Sequence, residues 1–222
     1  MRLLAIDTAL EACSVGVITD GGILTRCEIV GRGHAEALMG MIESTLAEAR
    51  LAVADLDRIA VTVGPGSFTG LRVGIAAARG LALVLGRAAV GVGTLAVHAE
   101  EARTMCGRHA VLAVLAAGRD EIYGAIYAAD GSERLTPRAA PAEVLAAAVE
   151  HGMLIAGSGA DLILAALPMD TTARIAHRHS APDIAALCRL ALIAPVPIAS
   201  PRPLYLRPPD AKPQAAARIA HR

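Results

Sequence analysis

The sequence has almost no lysine and few aromatic residues. Lys212 is the only lysine, and the 222 residues include three tyrosines, one phenylalanine and no tryptophan. The 21 basic residues are balanced by 21 acidic ones, so the formal net charge is zero. A protein that binds nucleic acid by itself usually carries a basic surplus and aromatic platforms for the bases. The composition therefore argues against RNA binding by the isolated chain.

Paired cysteines and long uncharged apolar runs are also missing. The four cysteines stand singly, without a C-x-x-C pair, which favours buried reduced thiols over a disulfide framework or a zinc site. Hydrophobic residues make up 55% of the chain, but charged residues interrupt the richest stretches before the roughly 18 residues that a membrane-spanning helix needs. Asp7 lies within the first apolar run, unlike the apolar centre of a secretion signal. We expect a soluble, cytoplasmic protein.

The apolar spacing predicts an α/β protein whose second half echoes its first. Three strands, a helix, and then alternating strands and helices give a βββαβαβα order, which is typical of a mixed sheet covered by helices. The first-half strands are predicted at 2–7, 12–19, 23–30, 58–63 and 88–92, and the helices at 34–50, 69–85 and 94–103. After residue 110 we predict a reduced version with strands at 110–116, 121–128 and 152–157 and helices at 141–150 and 182–194.

This pattern divides the chain into three parts. We expect an N-terminal lobe over 1–103, a smaller second lobe over 104–200, and an extended proline-rich tail over 201–222 with a fraying end.

The stretch GPGSFTGLRVG at 64–74 has the form of a phosphate-binding loop that leads into a helix. A P-loop needs a lysine directly after its last glycine, and here Leu71 follows Gly70. Two interpretations stay open. The backbone amides at the helix start, with Ser67 or Thr69 as N-cap, receive an anion, or the glycines only allow a sharp turn between strand and helix.

Asp7 and Thr8 end the first strand and belong to the same candidate region. An acid in this position helps to hold metal and phosphates in sugar kinases, actin and Hsp70, while the alternative is a side-chain cap of the following turn. The candidate loop residues, structural or vestigial, are Asp7, Thr8, Gly64, Pro65, Gly66, Ser67, Thr69 and Gly70.

The helix after the loop is thin, because glycine and alanine recur from Gly74 to Ala82. Each glycine in a helix costs about 1 kcal/mol relative to alanine, so close packing against the sheet or against another chain is expected. Arg72 and Arg79 would point the same way, on a face that is either solvated or directed at a partner.

Recognised motifs for metal binding and nucleophilic catalysis are absent. The seven histidines form neither H-x-x-x-H nor H-E-x-x-H, and the HRH at 177–179 spaces its histidines by two. There is no G-x-S-x-G. We therefore predict no catalytic residue, no metal and no cofactor.

Several segments together resemble one bacterial family. The sequences LLAIDTALEACSVGV, GHAEALMGMIESTLAEA, GPGSFTGLRVGIAAARGLALVLG and VGVGTLAVHA, with PLYLR in the tail, are similar to the TsaB (YeaZ) family over most of residues 1–100. The resemblance implies an actin/Hsp70-like (ribonuclease H-like) fold with two related lobes. It also implies a role in making threonylcarbamoyladenosine next to the anticodon of tRNA.

The resemblance further implies an accessory role within a protein complex. Members of this family are dimerization partners of the paralogous catalytic subunit TsaD, which the ATPase TsaE joins, and tRNA is reached only through the complex. We expect the two helices at 34–50 and 69–85 to pair with TsaD. The expected interface residues are His34, Leu38, Met41, Arg72, Ile75, Arg79 and Leu83.

Two departures from related sequences argue against a metal and a second phosphate site. TsaD has an H-x-x-x-H metal pair where this chain has Thr94 and His98, so the resemblance implies no bound iron or zinc. Many relatives have DAR where this chain has AAGR at 116–119. Three alternatives stay open: a stand-alone actin-fold ATPase or phosphotransferase, an M22-like metallopeptidase, and a homodimer of the isolated chain.

Overall fold

The computed structural model describes residues 1–117 and 121–207, which form two sheets of five strands each. In the first sheet β1 and β2 pair antiparallel, β2 and β3 pair antiparallel, and β4 and β5 continue from β1 in parallel. Its strand order is β3-β2-β1-β4-β5. The bounds are β1 Leu3–Asp7, β2 Ala12–Thr19, β3 Gly22–Ile29, β4 Arg58–Gly64 and β5 Ala88–Gly93.

Two long helices cover one face of this sheet. Helix α1 spans His34–Glu48 and helix α2 spans Phe68–Leu85, and both contribute an apolar stripe to a core shared with β1, β2 and β4. The side chain of Ser67 caps α2 by accepting a hydrogen bond from the Gly70 N–H at 3.3 Å. Gly86 ends the helix in a left-handed conformation with φ 60°, which glycine adopts without strain. A short 3-10 helix lies at Val53–Asp55.

The second sheet repeats the first strand for strand. Its order, β10-β9-β6-β7-β8, is the order of the first sheet read from the other edge, with the same parallel and antiparallel pairings. The strands are β6 Val111–Ala116, β7 Ile122–Tyr127, β8 Glu133–Ala140, β9 Met153–Ala156 and β10 Ala173–His177. The remaining helices are α3 Thr94–Cys106, α4 Ala142–Ala146, α5 Ala160–Ala165 and α6 Ile184–Ile193.

The expected fold class is confirmed. The second lobe is smaller than the first mainly because its helices α4 and α5 are short. Helices α4 and α5 have five and six residues, whereas their counterparts α1 and α2 have 15 and 18. Besides the short 3-10 helix, three elements among the described residues were not predicted, namely β8, α5 and β10. Strand β8 is mostly exposed at a sheet edge and contains Pro137, a residue that edge strands tolerate.

Helices α3 and α6 each pack on the sheet of the other half. Leu95, Ala99 and Ala102 of α3 join a core formed with β6, β7 and β9. In α6, Leu187 and its buried neighbours pack against residues of β1, β2 and β4. Arg58 at the start of β4 also donates hydrogen bonds to the Ala191 and Ala194 carbonyls, both at 2.7 Å. Each half of the chain therefore supplies a helix to the core of the other, while the boundaries near 103 and 200 stay a prediction.

Among the described residues, helix α2 is long and apolar enough to cross a membrane by length and composition alone. It carries Arg72 and Arg79, and its buried stripe, with Leu71 and Ile75, packs into the first core. Core helices of globular domains meet the same criterion. The tail residues 201–207 contain neither helix nor strand, as expected, and the rest of the predicted tail lies outside the described residues.

Candidate functional site

The glycine loop at 64–70 is pressed against the turn that follows β1. A Cβ atom on Gly66 would lie 2.4 Å from the Ala9 carbonyl oxygen, and one on Gly70 would lie 2.0 Å from the Thr8 carbonyl oxygen. One turn further along α2, a Cβ on Gly74 would lie 2.4 Å from Thr8 Oγ1. These separations are far below van der Waals contact. The loop needs glycine here because two stretches of backbone meet without room for a side chain.

Hydrogen bonds within the protein use the polar groups of this contact. The Ser67 N–H donates to the Ala9 carbonyl at 2.6 Å, and the Thr8 hydroxyl donates to the Gly70 carbonyl at 2.8 Å. Because the Gly70 N–H is bonded to the Ser67 side chain, two of the amides that a phosphate would need already have partners. Of the two interpretations of the loop, the geometry favours the tight turn, with Ser67 rather than Thr69 as the N-cap.

Asp7 is buried at the end of β1 and has one oxygen without a partner. Its Oδ1 accepts hydrogen bonds from the Thr62 hydroxyl at 2.5 Å and from the Ala9 N–H at 3.1 Å. Its Oδ2 has no hydrogen-bond partner among residues 1–117 and 121–207. Burial raises the pKa of Asp7 to about 6, although the bonds from Thr62 and Ala9 oppose the rise. Asp7 therefore forms the predicted turn cap and is also an unusually basic carboxylate.

The beginning of the tail lies against the other side of the loop. The Leu204 N–H donates to the Val63 carbonyl at 2.7 Å, and the Tyr205 ring stacks on Phe68 with 4.1 Å between centroids. Arg72 completes the contact, since its Nε donates to the Tyr205 hydroxyl at 3.0 Å. The predicted partner-facing Arg72 is thus exposed but already bound to the tail of its own chain.

A cleft of about 390 Å³ opens between the loop and the second lobe. It is bordered by Leu10 and Glu11 of the first turn, by Ser67, and by Leu115 and Tyr123 of the second sheet. Ala116 and Ala117 of the AAGR segment also line this cleft, and Gly118 and Arg119 lie outside the described residues.

Four of the seven predicted interface residues are buried rather than exposed. His34, Leu38, Met41 and Ile75 are buried, and the last three belong to the core between the helices and the first sheet. The reason is that the apolar stripe that reveals an amphipathic helix marks its core-facing side. His34 even uses its Nε2 to contact the Leu10 carbonyl at 2.9 Å.

The other three, Arg72, Arg79 and Leu83, are exposed. Arg79 and Leu83 line a cavity of about 330 Å³ together with residues 197–200. Helices α1 and α2 were therefore predicted correctly. Their exposed side consists mainly of residues that were not predicted for the interface, among them Met39, Gly40, Gly80 and Val84.

The structure also brings together a histidine cluster that the sequence analysis did not predict. His98 and Glu101 lie on α3, His177 ends β10, and His179 follows it. One possible ligand atom from each of the four lies within 4.8 Å of the others. The expectation of no metal depended on short spacing motifs, whereas these ligands come from two distant segments. The sequence signals were the i, i+3 pair His98 and Glu101 and the HRH at 177–179.

Burial controls the protonation of this cluster. Burial first, and the neighbouring histidines second, lower the pKa of His98 to about 3 and that of His177 to about 4. Both imidazoles are therefore neutral near pH 7. Burial raises the pKa of Glu101, while the Asp183 N–H and His179 oppose that rise.

Comparisons with known proteins agree with this architecture. A family model described as TsaD, tRNA N6-adenosine threonylcarbamoyltransferase, matches residues 18–157. A solved structure of YeaZ from Pseudomonas aeruginosa superposes with a TM-score of 0.78 at 32% identity, covering 92% of this chain and 99% of that one. The chain belongs to the TsaB (YeaZ) family. The resemblance seen in the motifs is thereby confirmed.

The relatives of this TsaB-family chain differ in the share of their length that aligns with it. The Escherichia coli tRNA threonylcarbamoyladenosine biosynthesis protein TsaB is 41% identical over 130 residues, which cover 59% of this chain and 56% of the relative. An uncharacterized protein of Mycobacterium tuberculosis is 37% identical over 220 residues, which cover 96% of this chain and 95% of the relative. The chain thus spans little more than half of E. coli TsaB and nearly all of the mycobacterial protein.

Paired glycine substitutions test the close contact of the loop. Gly70→Ala should lower the free energy of unfolding by about 1–3 kcal/mol, because its Cβ would collide with the Thr8 backbone. Gly80→Ala, in the same helix but with nothing within 4 Å of the new methyl group, should raise it by up to about 1 kcal/mol. Urea unfolding followed by circular dichroism measures both. Stabilisation by both substitutions would show that the loop is not packed as described.

Asp7→Asn tests the buried carboxylate. Because the pKa of Asp7 is about 6 in the folded chain and near 3.8 ordinarily, the folded state binds the proton more tightly. The wild type should lose stability relative to Asp7→Asn as the pH rises from roughly 4 to 6, by on the order of 2 kcal/mol, with little further change above that range. Urea unfolding of both proteins across this range gives the difference. A difference that does not vary with pH would contradict the raised pKa.

Proposed function

We propose that this chain is a non-catalytic subunit of the cytoplasmic complex that transfers a threonylcarbamoyl group to adenosine next to the anticodon in tRNA. Its partner is the paralogous catalytic subunit TsaD, the ATPase TsaE joins the pair, and tRNA is bound only by the complex. The role in this pathway is supported by family membership and by the name of the E. coli relative. The proposal that the chain pairs with TsaD rests on the exposed surface of α1 and α2.

The outer helix face is the exposed side of α1 and α2 around Met39, Gly40, Gly80, Leu83 and Val84. Met39, Leu83 and Val84 are 52%, 83% and 84% exposed, so large apolar side chains project into solvent. Gly40 and Gly80 have open space where a side chain would stand. A face that is apolar and locally free of side chains allows another helix to approach closely.

TsaD is the occupant because it should carry an equivalent pair of helices. The TsaD family model matches a range that includes both α1 and α2. A tRNA N6-adenosine threonylcarbamoyltransferase of Jannaschia is 44% identical over 98 residues, or 42% of this chain. Two related chains that each present such a face can pack about a pseudo-twofold axis, the arrangement that a homodimer of the isolated chain would also use.

The loop geometry supports a role without phosphate chemistry. The Ser67 and Gly70 amides are bonded inside the protein, and Leu71 stands where a P-loop has its lysine. The retained glycines have a packing role, because they let α2 lie against the Thr8–Ala9 turn. That contact holds the inner side of α2 on the sheet and leaves its outer side for a partner.

An arginine in the outer helix face should block pairing with TsaD. Gly80→Arg places a long charged side chain in the space that a partner helix would fill, so we expect at least about tenfold weaker binding to TsaD, measured by calorimetry or copurification. Gly74 and Ala78 are unsuitable for this test because both are buried.

Two controls separate pairing from folding. Ile193→Arg, which places the same charge at an 80% exposed position on α6, should bind TsaD as the wild type does, and Gly80→Ala, which adds only one methyl group, should bind more tightly than Gly80→Arg. In a reconstituted reaction with TsaD, TsaE, substrates and tRNA, a high concentration of Gly80→Arg should restore product formation. Unchanged binding by Gly80→Arg would exclude this face, and failure to restore product despite full binding would contradict a purely accessory role.

A further inference from the structure

The histidine cluster between α3 and β10 contains two buried imidazole nitrogens that have no hydrogen-bond partner among the described residues. His98 is fully buried, and its Nε2 lies 2.9 Å from the Ser180 carbonyl. A carbonyl only accepts hydrogen bonds, so Nε2 of the neutral ring carries the proton and Nδ1 holds a lone pair. Among the described residues this Nδ1 has no hydrogen-bond partner, and neither has the buried Nδ1 of His177.

The exposed member of the cluster is oriented in the same manner. The Nδ1 of His179 lies 2.8 Å from the Ala181 carbonyl, which leaves Nε2 directed at Glu101. That Nε2 is 3.0 Å from Glu101 Oε1. Histidine ligands of metals usually donate their other ring N–H to a backbone carbonyl or carboxylate, and His98 and His179 both have this arrangement.

Glu101 is held at the centre of the cluster. Its Oε2 accepts a hydrogen bond from the Asp183 N–H at 3.0 Å and lies 3.7 Å from His177 Nε2. Three imidazoles and one carboxylate thus converge from α3 on one side and from the segment 177–179 on the other. Glu101 is buried, and a bound cation would compensate the charge of its carboxylate.

We propose that His98, Glu101, His177 and His179 form a structural binding site for a divalent transition-metal ion, with Zn²⁺ as the preferred ion. Zinc takes nitrogen and carboxylate oxygen ligands at about 2.0–2.2 Å in a tetrahedron, which places ligand atoms roughly 3.3 Å apart. The 3.0 Å contact between His179 Nε2 and Glu101 Oε1 lies close to that separation, and the side chains spaced up to 4.8 Å apart would move inward to bind the ion.

The donor set and its burial favour a structural role. Four protein ligands complete a tetrahedron, whereas catalytic zinc sites usually keep one position open for water. His179, whose side chain is 46% exposed, gives solvent access to the site, while His98 is sealed inside. Imidazole ligands select zinc, copper, nickel or iron over magnesium and calcium.

The location indicates what the ion would hold together. Helix α3 follows the last strand of the first sheet and packs on the second sheet, and the segment after β10 leads into α6, which packs back on the first. Asp183, which bonds to Glu101 through its N–H, also caps α6 by accepting from the Ala185 N–H at 3.0 Å. A metal at this point would join the two connections between the lobes.

The test uses the full chain after removal of metal by a chelator and dialysis. Titration with ZnCl₂ should give one site per chain by calorimetry and raise the midpoint of thermal unfolding, since an ion that binds only the folded state stabilises it. CoCl₂ should give the visible absorption bands of tetrahedral Co²⁺. These readouts do not depend on any enzymatic activity.

Matched variants distinguish this site from adventitious binding. His179→Gln changes a partly exposed ligand with little risk to folding and should weaken Zn²⁺ binding at least about tenfold and remove the tetrahedral Co²⁺ bands. His109→Gln removes an exposed histidine outside the cluster and should bind as the wild type does. Absence of a stoichiometric site in the wild type, or equal affinity in the two variants, would overturn the proposal and identify the cluster as a metal-free hydrogen-bond network.

Discussion

The fold of this chain depends on the contact between the glycine loop and the turn after β1. Gly66 and Gly70 let the loop backbone meet the Thr8 and Ala9 carbonyls at distances that exclude any side chain. This contact fixes the start of α2, and the helix then directs one side into the core and the other towards solvent. The same contact uses the Ser67 amide that a phosphate-binding loop would offer to its ligand. A motif that has the appearance of a nucleotide site therefore works as a packing device.

Sequence reasoning located the elements of the first half well, because its strands are mostly apolar and its helices have one apolar side. Strands β1 to β5 alternate or are fully apolar, and α1 and α2 have clear apolar stripes, so periodicity identified each within a few residues. It failed for β8 and β10, whose side chains are largely exposed or only partly buried. It also assigned His34, Leu38 and Ile75 to an interface, since a single sequence shows which stripe is apolar but not what covers it.

The histidine cluster escaped prediction for a different reason. Local motifs report ligands that share one helix or one loop, whereas Glu101 and His177 meet only because α3 packs on the second sheet. The exchange of α3 and α6 between the lobes was not foreseen either, because the order of elements does not say which sheet a connecting helix will cover. Tertiary packing, rather than local sequence, decides both features. The proposed metal site therefore depends on packing that the sequence did not predict, whereas the proposed pairing surface lies on helices that it did predict.

Hydrogen–deuterium exchange at the Ser67 and Gly70 amides reports whether these two donors of the loop are bonded within the protein. If the loop is a packing element, both amides should exchange slowly in the isolated chain, and saturating Mg²⁺ and ATP should leave their exchange rates unchanged. Rapid exchange in the free chain that becomes slow when Mg²⁺ and ATP are added would contradict this packing role, since the loop would then be a nucleotide site waiting for its ligand.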